Sequence, residues 1–257
     1  MKSLNFIDKK AKIGNNLKID NFSSIHNDVV IGDNCKIGSN VTIFPGVNIG
    51  SNCHIYPGAV IGGDPQHLHF KDNKTNVLID DNCIIRECVT INKATKSNEP
   101  TTIGKNCYLM AYSHVAHDCI LHKNIVVANG VAIAGHVEIQ EGAIIGGLAA
   151  IQQFTKIGKF SMISGGSLVR KNVPPFIKVA KEPLRFIGIN RIGLERAGFE
   201  NNRIDEISNI YRILFQEGNN TSKAIELITQ KSNNSIDKET IVTFIKNSKK
   251  GIIKGFY

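Results

Sequence analysis

Aliphatic residues return at every sixth position along most of this chain. From Ile7 to Val169 the phase holds over 28 positions, and all but His67, Asn73 and Ser97 are aliphatic. A period of six matches neither the 3.6-residue period of a helix nor the alternation of a half-buried strand. It matches the hexapeptide parallel β-helix, in which each short strand turns one aliphatic inward. Three such strands close a coil, so residues 18 apart in the chain lie above one another. Glycine follows many of the aliphatics, and asparagine is frequent between them. Both residues tolerate the left-handed backbone that tight corners require.

The three failures of the period mark two loops that leave the coil. One spans residues 62–76 and contains Pro65-Gln66-His67-Leu68-His69-Phe70, and the other spans residues 92–101 and ends at Pro100. Loops on a rigid scaffold are where binding residues concentrate. The period stops near Val169, and Val173-Pro174-Pro175 closes the repeat. Beyond it, Ile204, Ile207, Ile210, Tyr211, Leu214 and Phe215 recur at helical spacing, followed by shorter helical patterns around Ala224–Ile228 and Ile236–Ile245. The expected organisation is a β-helix over 1–173 and a helical domain over 174–257.

Composition adds limits. Six cysteines contain no C-x-x-C, and Cys35, Cys53, Cys83, Cys107 and Cys119 each stand two places before an aliphatic of the series. That slot suits a small apolar residue, which reads as reduced structural thiols rather than zinc ligands or disulfides. No run reaches the roughly 20 apolar residues of a membrane span, and Met1–Lys12 lacks a signal-peptide core, so a cytoplasmic protein is expected. The net charge of +9 favours an acidic partner. Without arginine clusters interleaved with aromatics, it does not indicate nucleic acid.

Candidate chemistry gathers in one stretch. His117, Gly135 and Gln153 are 18 apart and stack on successive coils, with Asp118 and His136 beside them. None is in the inward slot, so all face outward. Histidine is the natural base near neutral pH, and a carboxylate can fix its tautomer. A glycine one coil away offers an unobstructed N–H to a developing oxyanion. These are the parts of an acyl transfer in which His117 takes a proton from an attacking hydroxyl or amine. Neighbouring strand residues point to opposite sides, so Asp118 reaches His117 only if a corner lies there.

The runs Ala-Tyr-Ser-His-Val-Ala-His-Asp-Cys (111–119), Ile-Ala-Gly-His (133–136), Ala-Ile-Ile-Gly-Gly (143–147), Gln-Gln-Phe (152–154), Asn-Val-Pro-Pro (172–175) and Gly-Leu-Glu-Arg-Ala-Gly-Phe (193–199) resemble the UDP-N-acetylglucosamine O-acyltransferases, which open lipid A biosynthesis. The resemblance covers essentially the whole chain. It implies a left-handed β-helix, a homotrimer with sites between subunits, and transfer of a 3-hydroxyacyl chain from acyl carrier protein to a UDP-sugar. No metal or dissociable cofactor is implied, since the phosphopantetheine arm arrives with the carrier.

By this resemblance His117 is the base, Asp118 its orienting carboxylate and Gly135 the oxyanion amide. Gln66, His67, His69, His114, His136, Gln153, Asn190 and Arg196 match substrate-lining positions. Gly165 matches the position that limits acyl length, where the missing side chain implies a long chain. The departures are His67 and His69, where the family usually has an acidic and a basic residue, Gln152 in place of His, and Ala197 in place of a second Arg. They raise a 3-amino UDP-sugar as an alternative acceptor. Two further alternatives are an acetyl-CoA-dependent sugar N-acetyltransferase and a β-helix zinc carbonic anhydrase using His117 and His122.

Overall fold

The computed structural model describes residues 4–71, 74–97 and 99–255. Its body is a left-handed parallel β-helix. Strands of mostly two residues form three parallel sheets of nine, eight and ten strands among the described residues. Each strand pairs with the strand three places on, so Val115 lies over Ile133 and Ile133 over Ile151 in the first sheet. In the ten-stranded third sheet the outermost strand runs antiparallel.

The inward aliphatics of the period form the core. From Ile25 to Val169 those in the strands are buried, at 0–3% exposure. Each buried Ile or Val stabilises the fold by roughly 1.5–3 kcal/mol. At the N-terminal end of the described prism Ile7 and Ile13 are exposed. The five cysteines of the series are free and buried. Each thiol donates to a carbonyl of the next coil, as from Cys107 to His122 at 3.0 Å and from Cys119 to Ala134 at 3.1 Å. Cys88 differs, being exposed at a corner.

The three edges of the prism differ in kind. At the second edge, between the second and third sheets, Asn16, Asn34, Asn52, Asn82, Asn106 and Asn124 each hold positive φ. Their side chains bond along the edge, Asn82 to Asn106 at 3.1 Å and Asn106 to Asn124 at 3.0 Å. At the first edge, between the first and second sheets, the same slot holds Asp118, His136 and Phe154. Both loops also leave from this edge, since they connect first-sheet strands Val60–Gly63 and Thr90–Asn92 to second-sheet strands Val77–Ile79 and Thr101–Ile103.

The C-terminal region begins with β structure rather than helix. Strand Ile177–Ala180 joins the third sheet beside Met162–Ile163, and Arg185–Ile189 pairs with it antiparallel. The cause is legible in retrospect: Ile177 and Val179 alternate with Lys178 and Ala180, and both are fully buried against the last coil. Four helices follow among the described residues, α1 (Arg191–Arg196), α2 (Asn201–Phe215), α3 (Thr221–Lys231) and α4 (Ile236–Lys246). Helix α2 buries Ile204, Ile207, Ile210, Tyr211 and Leu214. The Tyr211 hydroxyl donates to Pro175 O at 2.6 Å, which ties the helices to the end of the prism.

Candidate active site

Two corners of successive coils build the site at the first edge. Residues 116–119 join His114–Val115 to Ile120–Leu121, and residues 134–137 join Ala132–Ile133 to Glu138–Ile139. The corner supplies the turn that a strand would not. Asp118 takes φ +58°, which folds its carboxylate back onto the preceding residue. Its Oδ2 lies 2.7 Å from His117 Nδ1. His117 is 5% exposed.

The loop of residues 92–101 fixes this pair from the other side. The Thr95 N–H donates to Asp118 Oδ1 at 2.9 Å, and the Thr95 hydroxyl to Oδ2 at 2.8 Å. The Asp118 N–H donates to Thr101 Oγ1 at 2.9 Å. Burial would raise the Asp118 pKa, but the hydrogen bonds from His117 and Thr95 outweigh it and hold the carboxyl below its usual range. Asp118 is therefore ionised at neutral pH. An ionised carboxylate only accepts hydrogen bonds, so in the neutral form of His117 the hydrogen is on Nδ1 and the lone pair on Nε2.

Gly135 is required where it stands. A Cβ there would lie 2.4 Å from His117 Cε1 and 2.7 Å from Nε2, so the imidazole occupies the space a side chain would fill. Among the described residues the Gly135 N–H has no hydrogen-bond partner. The His117 ring thus packs directly against a glycine whose amide is unpaired.

Other rings extend the site. His136 stands edge-on to His117, with centroids 5.2 Å apart, and stacks on Phe154 at 4.6 Å. His67 from the first loop stands edge-on to His117 at 5.6 Å, and His69 lies 6.0 Å from His67. Gln66 is on the same loop and exposed. Gln153 completes the stack, its carbonyl accepting from Lys250 Nζ at 2.5 Å. His114, on the first sheet, meets Thr90 Oγ1 at 2.7 Å. Burial holds the His114 and His136 pKa values below the usual histidine range; a protonated His117 would add to this, and Asp118 partly opposes it at His136.

Three expected site residues stand elsewhere in the chain. Asn190 is buried at the start of α1 and donates to Phe160 O at 2.9 Å, which places it at the second edge. Arg196 is exposed in the last turn of α1. Gly165 lies at the third edge, between Met162–Ile163 and Leu168–Val169, where a Cβ would approach Gly147 O at 3.1 Å. His122 also stands away from His117, past the next strand, against Glu138 at 3.5 Å.

Sequence reasoning missed Thr95, Thr101 and the contacts that tie the two loops together. Asn92 Nδ2 donates to Asp64 O at 2.8 Å, and Lys93 Nζ meets Asp64 Oδ1 at 2.9 Å. No periodic signal could have found them, since both loops break the register that made the rest readable.

The chain is similar to known proteins along nearly its whole length. A family described as UDP N-acetylglucosamine O-acyltransferase, domain 2, matches residues 172–253, and the bacterial transferase hexapeptide family matches residues 10–45 and 100–135. An acyl-[acyl-carrier-protein]–UDP-N-acetylglucosamine O-acyltransferase of Syntrophobacter fumaroxidans is 41% identical over 75% of this chain and 76% of its own. Its counterpart in Gloeothece citriformis is 39% identical over 67% of this chain, and the match spans 63% of that relative's length. The crystal structure of a UDP-N-acetylglucosamine acyltransferase from Bacteroides fragilis superposes with a TM-score of 0.96 at 43% identity, covering 99% of this chain and 100% of that one.

Proposed function

The chain belongs to the UDP-N-acetylglucosamine O-acyltransferase family, and we propose that it transfers a 3-hydroxyacyl chain from acyl carrier protein to the 3-hydroxyl of UDP-N-acetylglucosamine, the first step of lipid A biosynthesis. The observation that carries this reading is the His117–Asp118 pair, with Nε2 unengaged by Asp118 and Gly135 packed against the ring.

His117 Nε2 takes the proton of the acceptor hydroxyl as its oxygen attacks the thioester carbonyl. Asp118 holds the ring in the required tautomer and stabilises the imidazolium that forms. The Gly135 N–H receives the oxyanion of the tetrahedral intermediate. Collapse expels the phosphopantetheine thiolate, which takes the proton back from His117. Ester and free thiol leave, and the base returns to its starting state. No dissociable cofactor is needed, because the thioester arrives on the carrier.

The same reading makes the protein a homotrimer. Its proposed substrate-lining residues occupy three different edges of one prism: His67, His117 and His136 the first, Asn190 the second and Gly165 the third. A threefold assembly sets the first edge of one subunit against another edge of the next. Gly165, without a side chain, fits a long acyl chain. Acyl carrier protein, being acidic, complements the net charge of +9. No helix among the described residues is long and apolar enough to cross a membrane, and we place the reaction in the cytoplasm.

The test is a mass-spectrometric product assay. It would use 3-hydroxyacyl carrier protein of several lengths, with UDP-N-acetylglucosamine and its 3-amino analogue in competition. The expected product is the ester. An amide product alone would replace the acceptor, and no product from either sugar would overturn the reading. His117→Ala should lower turnover by about 10²–10⁴-fold without altering the melting temperature.

A further inference from the structure

The first edge carries more nitrogen than one general base requires. His117, Asp118 and His136 each offer a ligand atom, and these atoms lie within 4.8 Å of one another. His136 Nε2 is 3.4 Å from Asp118 Oδ2, the oxygen that also meets His117. His67 adds a third ring, exposed on its loop with its centroid 5.6 Å from that of His117. We infer that His117, Asp118 and His136, with His67 as a fourth ligand, form a binding site for a borderline divalent cation of the zinc type, and that occupancy of this site shuts off the base.

Three points carry the inference. The donor set is imidazole nitrogen with one carboxylate oxygen, which zinc, cobalt and nickel accept and which magnesium and calcium do not favour. The spacing also fits. An imidazole nitrogen binds zinc at about 2.0–2.1 Å, so two rings on one tetrahedral ion have centroids on the order of 5 Å apart. The His117–His136 and His67–His117 centroids stand at 5.2 and 5.6 Å. Finally, the carboxylate is held in place, because Thr95 donates one hydrogen bond to each of its oxygens.

The consequence for activity follows from the ring. A neutral imidazole has one nitrogen lone pair to give. Whichever nitrogen of His117 the cation takes, no lone pair remains to accept a proton from the substrate. The cation is therefore an inhibitor rather than a cofactor. This part rests on the assignment of His117 as the base; the binding site itself does not.

The experiment uses the full-length protein freed of metal by chelation. Zinc binding is followed by calorimetry and by the zinc-dependent rise in melting temperature, and cobalt substitution is followed by its visible spectrum. The expected result is one ion per chain with micromolar affinity, the intense bands of tetrahedral cobalt, and inhibition of acyl transfer that chelator reverses. His136→Ala and His67→Ala should each weaken zinc binding at least about tenfold, since even partners that only orient ligands cost 10–100-fold. His122→Ala, which alters the neighbouring corner, should leave binding unchanged.

Absence of binding to the wild type would overturn the inference, as would binding lost in His122→Ala and kept in His136→Ala. Stoichiometric binding that leaves acyl transfer untouched would overturn the inhibitory role. Binding as expected in a protein that transfers no acyl chain when metal-free would uphold the site and sink the transferase reading alone.

Discussion

The first and second edges of the prism use one backbone position for opposite purposes. At the second edge the left-handed corner residue is asparagine on six coils, from Asn16 to Asn124, and those side chains bond to one another or face solvent. At the first edge the slot holds Asp118 at φ +58°, His136 at +58° and Phe154 at +64°. Asparagine and aspartate ease the steric cost of that backbone, which for most other residues is about 1–2 kcal/mol. Where stability alone matters, the chain places the residue that lowers this cost. Where Asp118 must fold back onto His117, it uses a corner whose side chain serves the site. Strain alone does not separate the two edges, since Phe160 holds φ +54° at the second; the difference is that the first-edge corner side chains of Asp118 and His136 meet His117.

Breaking the first edge should show in turnover. Gly135→Ala puts a Cβ 2.4 Å from His117 Cε1 and must displace the ring. Misplacing a reacting group by about 1 Å costs on the order of 10²-fold, so kcat should fall by about that factor in steady-state assays while the melting temperature holds. Wild-type turnover in this variant would mean that the ring is not held against the glycine.

Thr95→Val keeps the N–H bond to Asp118 Oδ1 and removes the hydroxyl bond to Oδ2. One hydrogen bond to a charged group is worth about 1.5–3 kcal/mol, and a kcat loss near tenfold is expected. Thr95→Ser should restore the rate, because it returns the hydroxyl without the methyl.

On the second sheet, which joins the two edges, Glu138 sits between His122 and Lys156. The hydrogen bond from His122, with that from Lys156, lowers its pKa from 4.5 to about 2. A carboxyl depressed on folding contributes stability that is present above its unfolded pKa and lost as pH falls through its folded one. Urea midpoints should therefore decline between about pH 4.5 and about 2. Glu138→Gln should remove that contribution and flatten this part of the curve. An unchanged slope would show that the pair contributes nothing to folding.

The smallest effect belongs to the second edge. Asn106→Ala removes two ladder bonds and leaves alanine at φ +59°. A loss of about 1–2 kcal/mol in urea unfolding is expected, with turnover unchanged. Asn106→Gly should recover part of the loss, because glycine accepts that backbone freely. A fall in turnover would extend the substrate-lining part of this edge from Asn190 to the asparagine ladder.

The β-helix was legible because every coil repeats one constraint: outside the two loops, an inward aliphatic at each sixth position from Ile25 to Val169, all buried. Of the site, the stack of His117, Gly135 and Gln153 was legible because the coil length converts sequence spacing into height. Contact between His117 and Asp118 was not, since it depends on a corner angle rather than on spacing. Thr95 left no trace, because it reaches Asp118 across 23 residues through an inserted loop. The hairpin of Ile177–Ala180 and Arg185–Ile189 was also missed, being a single pair with no repeat to reinforce it.

The sequence by itself determined the prism, its register and which residues share a level. These follow from local pattern multiplied along the chain, where each coil meets only its neighbours. The tertiary structure decided which corner turns Asp118 onto His117, how the two loops lock together through Asp64 and Lys93, and which edge receives His67. Those contacts join residues with no fixed spacing. Side-chain direction at a corner and the path of an insertion are set by packing in three dimensions, which periodicity along a chain does not encode.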